Sequence, residues 1–267
     1  MTLDTISVLV PCALAAVVGL LFGSFLNVCI SRLPAGQSIV TPRSHCPHCK
    51  RPIRSIDNVP VLSFLLLRGR CRDCHQRISL QYPLVEIALA ALFTACVLHT
   101  GLQWQTLLDA ALIFLLLGLA VMDAQTFLLP DAFTLGGLSV AFAAKVFLAS
   151  PGLHMHAALL TARDAFAAAL VLLLIRWLYQ AVRKQEGMGL GDVKLLAMMA
   201  AFLGLPLALL ACFLAVVAGA AAAIVLLLRH RVHANQMIPF GSFLAVAGIT
   251  VIFIGQPLLA WYLRFFH

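Results

Sequence analysis

The sequence predicts an all-α polytopic membrane protein, with about eight transmembrane helices and a small zinc-knuckle domain inserted after the first. Three observations carry this. Of 267 residues, 63% are hydrophobic and only 10% are charged, with a mean hydropathy of +1.02, more apolar surface than a soluble domain of this size needs. The apolar residues fall in runs able to cross a bilayer, which takes roughly 20 residues per helix. The one long polar segment carries two C-x-x-C pairs.

The first run, residues 8–30, has no basic segment before it and no small-x-small cleavage site ahead of Asn27, so it reads as a retained span. It closes on Gly23-Ser24-Phe25-Leu26-Asn27, where small residues permit close helix approach and an amide can hydrogen-bond across helices. Residues 31–82 form the polar segment. Further apolar runs place spans at residues 83–98, 107–122, 133–149 and 165–182. Residues 193–228 are too long for one span, and Gly204-Leu205-Pro206 interrupts them, giving two spans of which the first is short. Residues 240–263 make the eighth. The chain thus divides into a first helix (1–30), a cytoplasmic domain (31–82) and a helical bundle (83–267).

The net charge of +8 is topological in origin. Of 18 Lys and Arg, nine lie between Arg32 and Arg77. Arg183, Lys184, Lys194, Arg229 and Arg231 fall in loops that eight spans place on the same side, making 14 of 18. By the positive-inside rule that face is cytoplasmic, and no nucleic-acid partner is implied. The lipid bilayer is the partner of the apolar faces.

Cys46-Pro47-His48-Cys49 and Cys71-Arg72-Asp73-Cys74 are two knuckles separated by 21 residues, the pattern of a tetrahedral four-thiolate zinc site. Cytosolic thiols stay reduced, which favours metal over disulfides. Four protein ligands leave no open position, so the expected zinc is structural, a staple for a segment too short to build much core. His45, His48 and His75 flank the knuckles and could replace a thiolate, but are expected to be solvated. Cys12, Cys29, Cys96 and Cys212 lie in apolar runs as packing residues.

Ionisable groups at membrane depth are functional candidates by default. Asp192 follows Gly189-Leu190-Gly191 at the start of a span, and Asp123 ends another. A carboxylate at a helix C-terminus opposes the macrodipole and needs a specific compensation. Asp131, after Pro130, reads as a helix N-cap with a catalytic role as the alternative, and Asp109 and Asp164 read as acids at helix starts on the far side. Glu86 reads as a partner within the bundle, to Lys194 or an arginine, or as part of a polar substrate pocket. Pro239-Phe240-Gly241 opens the last span and can leave backbone groups free for a docked peptide. With eight spans, Asp123 and Asp192 share the cytoplasmic edge. Two carboxylates in one site do not readily both ionise, so one takes a proton from water while the other donates to a carbonyl oxygen. That is peptide hydrolysis by an aspartic pair.

The chain also resembles the bacterial type IV prepilin peptidases. The resemblance rests on Gly23-Ser24-Phe25-Leu26-Asn27-Val28 with Arg32-Leu33-Pro34, the two knuckles, Leu67-Arg68-Gly69-Arg70-Cys71 and Tyr82-Pro83-Leu84-Val85-Glu86. It rests equally on Asp123 with Leu129-Pro130-Asp131, on Glu186-Gly187-Met188-Gly189-Leu190-Gly191-Asp192-Val193-Lys194-Leu195, and on Ile238-Pro239-Phe240-Gly241. Ser242 departs from the family, which often has proline there, a change expected to touch the local geometry of the last span and not the acids. The resemblance implies an inner-membrane GxGD-type aspartic endopeptidase with Asp123 and Asp192 as its catalytic pair. It would cut the basic leader from prepilins or type II secretion pseudopilins at the cytoplasmic face, typically between Gly and Phe. It further implies N-methylation of the new terminus with S-adenosyl-L-methionine, an activity linked to the cysteine-bearing domain, though no residue is thereby assigned to that donor. The rival reading is an ion- or proton-coupled transporter with a zinc-binding module. Zinc hydrolysis is a third option, weakened by the absence of H-E-x-x-H and by the closed four-cysteine set.

Overall fold

The structure, a computed structural model, describes residues 3–184, 188–229 and 239–264, with side chains from residue 8. Glu186, Gly187, Arg231 and Ile238 from the motifs above lie outside the described residues. The described chain forms α1 (Leu3–Arg32), α2 (Leu62–Leu66), α3 (Gln81–Thr100), α4 (Trp104–Thr126), α5 (Asp131–Phe147), α6 (His154–Arg183), α7 (Leu190–Leu203), α8 (Leu205–Leu228) and α9 (Phe240–Leu263). Each predicted span is a helix. Six of them, α1, α3, α4, α6, α8 and α9, are long and apolar enough to cross a membrane. With 17 and 14 residues, α5 and α7 are shorter. Exposed Val10, Leu14, Trp177, Phe213 and Ile224 mark faces that suit lipid.

Some boundaries move for identifiable reasons. The helix expected from residue 165 begins at His154, because His154, His156, Arg163 and Asp164 interrupt the apolar pattern without interrupting the helix. Asp164 therefore starts no helix. It lies inside α6, ion-paired to Arg163, and accepts the Leu205 N–H of α8 at 3.4 Å. Asp109 likewise lies one turn inside α4, bonded by Gln105. The predicted break between α7 and α8 is present: Gly204, at φ +86°, ends one helix and begins the next, and Pro206 sits in the first turn of α8, where its missing N–H costs nothing.

By compactness the chain forms two units, Met1–Phe114 and Leu115–His267, divided within α4 and described here separately. In the first unit α1 lies against α3. A Cβ on Gly23 would come within 2.6 Å of Glu86 Cα, and one on Gly19 would meet the backbone of Ala90. The two glycines form a G-x-x-x-G spacing that lets the helix backbones nearly touch. Above this contact the polar residues interlock. Asn27 Nδ2 donates to the Tyr82 carbonyl at 3.0 Å, and the buried Glu86 carboxylate accepts the Val61 N–H at 2.7 Å and a hydrogen bond from Ser24. Val61 adopts φ +59°, a strained conformation for a β-branched residue, and Glu86 holds it there.

In the second unit α7 is the central helix, packed against α5, α6, α8 and α9. Ten of its fourteen residues are buried. Gly137 of α5 and Gly248 of α9 leave room for Met198 and Met199, whose side chains a Cβ at either position would strike. This explains why α7 is apolar on all sides beyond Lys194.

Gly23→Leu is expected to push α1 off α3 at a cost of about 1–3 kcal/mol or more, read as a lower thermal midpoint in detergent and faster proteolysis within residues 31–82. An unchanged midpoint would contradict the close approach.

Candidate active site

Asp123 lies in the last turn of α4 and is 5% exposed. The compensation its position requires comes from another helix. Ser242, the third residue of α9, donates its backbone N–H to Asp123 Oδ2 at 2.6 Å, and its hydroxyl lies 2.9 Å from the same oxygen. Pro239, at the N-cap of α9, has no side-chain acceptor for that helix's free N–H groups. Asp123 therefore caps α9, and the positive end of the α9 dipole offsets the negative end of α4. The backbone groups at this helix start, expected to be free for a docked peptide, include one already used by Asp123.

Asp192 is the third residue of α7 and is 8% exposed. Its carboxylate accepts the N–H of Gly189, the N-cap of its own helix, and the charge of Asp123 acts on it. The two acids are thus brought together, each at a helix N-terminus. Between the helices sits Leu129, from the α4–α5 connection. A Cβ on Gly191 would lie 3.0 Å from Leu129 Cβ, and one on Gly241 would lie 2.9 Å from Leu129 Cδ1 and 3.0 Å from Asp123 Oδ2. Both glycines are required by close approach. Gly241 and Ser242 are the site residues that the aspartate argument alone did not assign. Gly241 was signalled by the Pro-Phe-Gly helix start; Ser242, expected to touch local geometry and not the acids, bonds Asp123 directly.

Asp131 is the first residue of α5, not its N-cap, which is Pro130. It makes no capping bond and instead pairs with Lys194 Nζ at 2.6 Å. Lys194 is consequently the partner of Asp131 and not of Glu86, whose bonds are those to Val61 and Ser24.

The knuckle cysteines converge in the first unit. The Sγ atoms of Cys46, Cys49, Cys71 and Cys74 all lie within 4.8 Å of one another, with Cys46 and Cys74 at 3.8 Å. A tetrahedron with metal–sulfur bonds of about 2.3 Å has edges of about 3.8 Å, so the set fits a four-thiolate metal. All four are free thiols. The two knuckles fold alike. Cys46 N–H donates to Arg51 O, Lys50 N–H to Cys46 O and Ile53 N–H to Ser44 O. The same three bonds recur from Cys71 to Gln76, His75 to Cys71 and Ile78 to Gly69. His75 and Lys50 are the left-handed corners of these turns, at φ +58° and +59°. The ligand cluster contains cysteines alone, so His45, His48 and His75 stand outside it. The Cys49 backbone N–H pulls the Cys46 thiol down to about 7, toward the thiolate a metal needs. Arg72 hydrogen-bonds Asp57 and holds its carboxyl below the usual range, tying the 3-10 turn Ser55–Asn58 to the second knuckle.

A groove of about 790 Å3 in the first unit is lined by Leu14, Val18, Phe93, Trp104 and Leu107.

Two family models match: the bacterial peptidase A24 N-terminal domain over residues 17–100 and the type IV leader peptidase family over residues 110–224. Among similar proteins, a prepilin leader peptidase/N-methyltransferase of Burkholderia pseudomallei (strain 1026b) is 37% identical, the match covering 92% of this chain and 86% of the relative. Proteins of the same name from Aeromonas hydrophila and Stutzerimonas stutzeri are 37% and 36% identical, covering 92% and 96% of this chain and 92% and 94% of theirs. No solved structure matches. None of these relatives bears a transporter's name, and the transporter reading is not retained.

The full chain is expected to hold one metal ion per chain, with four thiols resisting alkylation until a chelator is added. Cys46→Ser is expected to abolish stoichiometric metal and expose residues 31–82 to protease. Free alkylation of Cys46, Cys49, Cys71 and Cys74 themselves in freshly purified protein, read from the labelled peptides, would contradict the cluster.

Proposed function

The chain belongs to the type IV leader peptidase family, and on that premise we propose how its residues carry the activity. It is a membrane endopeptidase that removes the leader peptide of prepilins, and it N-methylates the new terminus. Asp123 and Asp192 are its catalytic pair. The observation that carries this assignment is the convergence of two buried carboxylates, each at a helix N-terminus, with the charge of one acting on the other.

The chemistry follows from that pairing. The ionised carboxylate takes a proton from water as its oxygen bonds to the scissile carbonyl carbon, and the other acid protonates the carbonyl oxygen. The tetrahedral intermediate then breaks its C–N bond as the departing amine takes the proton held by the first carboxylate and a hydroxyl of the intermediate returns its proton to the second, restoring the pair. Water must reach this point. At 14 residues α7 is about 21 Å long, shorter than a hydrocarbon core of about 30 Å, which would leave room for water to reach Asp192.

The protein is a multi-pass bacterial membrane protein. We place it in the inner membrane with eight spans, α5 and α7 being the two short ones, and with Asp123, Asp192 and residues 31–82 on the cytoplasmic side, where 14 of 18 basic residues fall. Type IV prepilins and type II secretion pseudopilins, with a basic leader before an apolar helix, would present their junction at that interface. Residues 31–82 form the module between the first helix (1–30) and the bundle (83–267). Cys46, Cys49, Cys71 and Cys74 would hold zinc there, with a structural role since no coordination position stays open. S-adenosyl-L-methionine would supply the methyl group for the freed terminal amine.

Asp123→Asn and Asp192→Asn are each expected to lower cleavage of a prepilin-like substrate by roughly a thousandfold or more, with unchanged metal content and thermal midpoint. Full cleavage by either variant would contradict the pair.

A further inference from the structure

Asp123 and Asp192 do not sit in equivalent surroundings. Asp192 is bonded by the backbone N–H of Gly189. Asp123 Oδ2 faces two donors on one residue, the N–H of Ser242 at 2.6 Å and its hydroxyl at 2.9 Å. The hydroxyl also lies 2.9 Å from the carbonyl oxygen of Ala120, and it has only one proton to give. When Asp123 is ionised, the hydroxyl can donate to Oδ2. When Asp123 is neutral, it can turn to Ala120. The N–H has no such choice and always presents a proton to Oδ2, so a proton on Asp123 belongs on Oδ1.

From this asymmetry we propose that Ser242 is a positioning residue that keeps Asp123 as the ionised, water-activating member of the pair, with Oδ1 turned to the water and Asp192 left as the proton donor. The proposal rests on the reading that the two aspartates are catalytic. A hydrogen bond donated to a carboxylate favours its ionised form, and among the described residues Asp123 receives one more than Asp192. Asp131 of α5 and Lys194 of α7 are paired to each other, and the first turn of α9 carries no acid. Gly241 lets Ser242 approach, since a Cβ there would press on Asp123 Oδ2 itself.

The test is the pH profile of kcat/KM for a prepilin-like substrate, measured on the full chain in detergent with wild type, Ser242→Ala, Ser242→Thr and Ser242→Pro. Alanine removes the hydroxyl and keeps the N–H. Proline removes both donors, at a first-turn position where a helix tolerates it. Without the hydroxyl, Asp123 binds its proton more tightly. The acidic limb should therefore move to higher pH by about half a unit to one unit, with kcat lower by about fivefold, the size of one hydrogen bond, and KM within about twofold. Proline should move the limb further, and threonine should restore it. A shift of the basic limb instead would reverse the assigned roles and overturn the proposal. An unchanged profile in both the alanine and proline variants, while Asp123→Asn and Asp192→Asn are inactive, would overturn it and leave the catalytic pair standing. Cleavage by those asparagine variants would overturn both.

Discussion

The candidate site depends on two helix ends that satisfy each other. Helix α4 ends in a carboxylate that its own dipole disfavours, and α9 begins after a proline that cannot cap it. Bonding Asp123 to the Ser242 N–H answers both needs at once. The remaining geometry follows from bringing these ends together. Gly241 must lack a side chain, Leu129 fills the wedge beside it, and Gly191 must yield to Leu129 in turn. The first turn of α7, with Asp192, is thereby held where it faces the charge of Asp123. Glycine and aspartate alternate here because backbone has to approach backbone around a buried charge.

A second polar joint organises the other unit. Glu86 and Asn27 lie at the ends of apolar helices, where a sequence reading gives them either a packing or a substrate role. Their bonds run to Val61, Ser24 and the Tyr82 carbonyl, so they fasten α1, α3 and the connection leading into α2. Residues 31–82 therefore have two anchors, a four-thiolate cluster within and a buried carboxylate at their base. The two knuckles repeat the same three backbone bonds, which shows how little sequence such a turn needs beyond its cysteines and a left-handed corner.

Much of this was legible in the sequence for simple reasons. Apolar runs located every long helix, and Gly204 with Pro206 marked the α7–α8 break because one permits positive φ and the other cannot continue a helix. Cysteine spacing gave the cluster, and the misfit of Asp123 with its own helix end gave the site. What escaped was long-range pairing. Asp131 looked like a cap and is half of an ion pair with Lys194; Asp164 looked like a helix start and bonds α8 instead. Ser242 stood out only as a departure from the family's frequent proline, read as a matter of local geometry, because its meaning lies in a contact 119 positions away. Local pattern predicts helices; it does not say which helix end meets which.

The central claim is that Asp123 and Asp192 share one site, and proximity tests it most directly. In a Cys212→Ala background the second half of the chain holds no other cysteine, so Asp123→Cys and Asp192→Cys can be combined and oxidised in membranes. A protease site placed after Ser150 then separates the halves. The fragments should stay joined until reduced, and should part when only position 192 carries a cysteine. Fragments that separate despite both thiols being present and reactive would contradict the shared site.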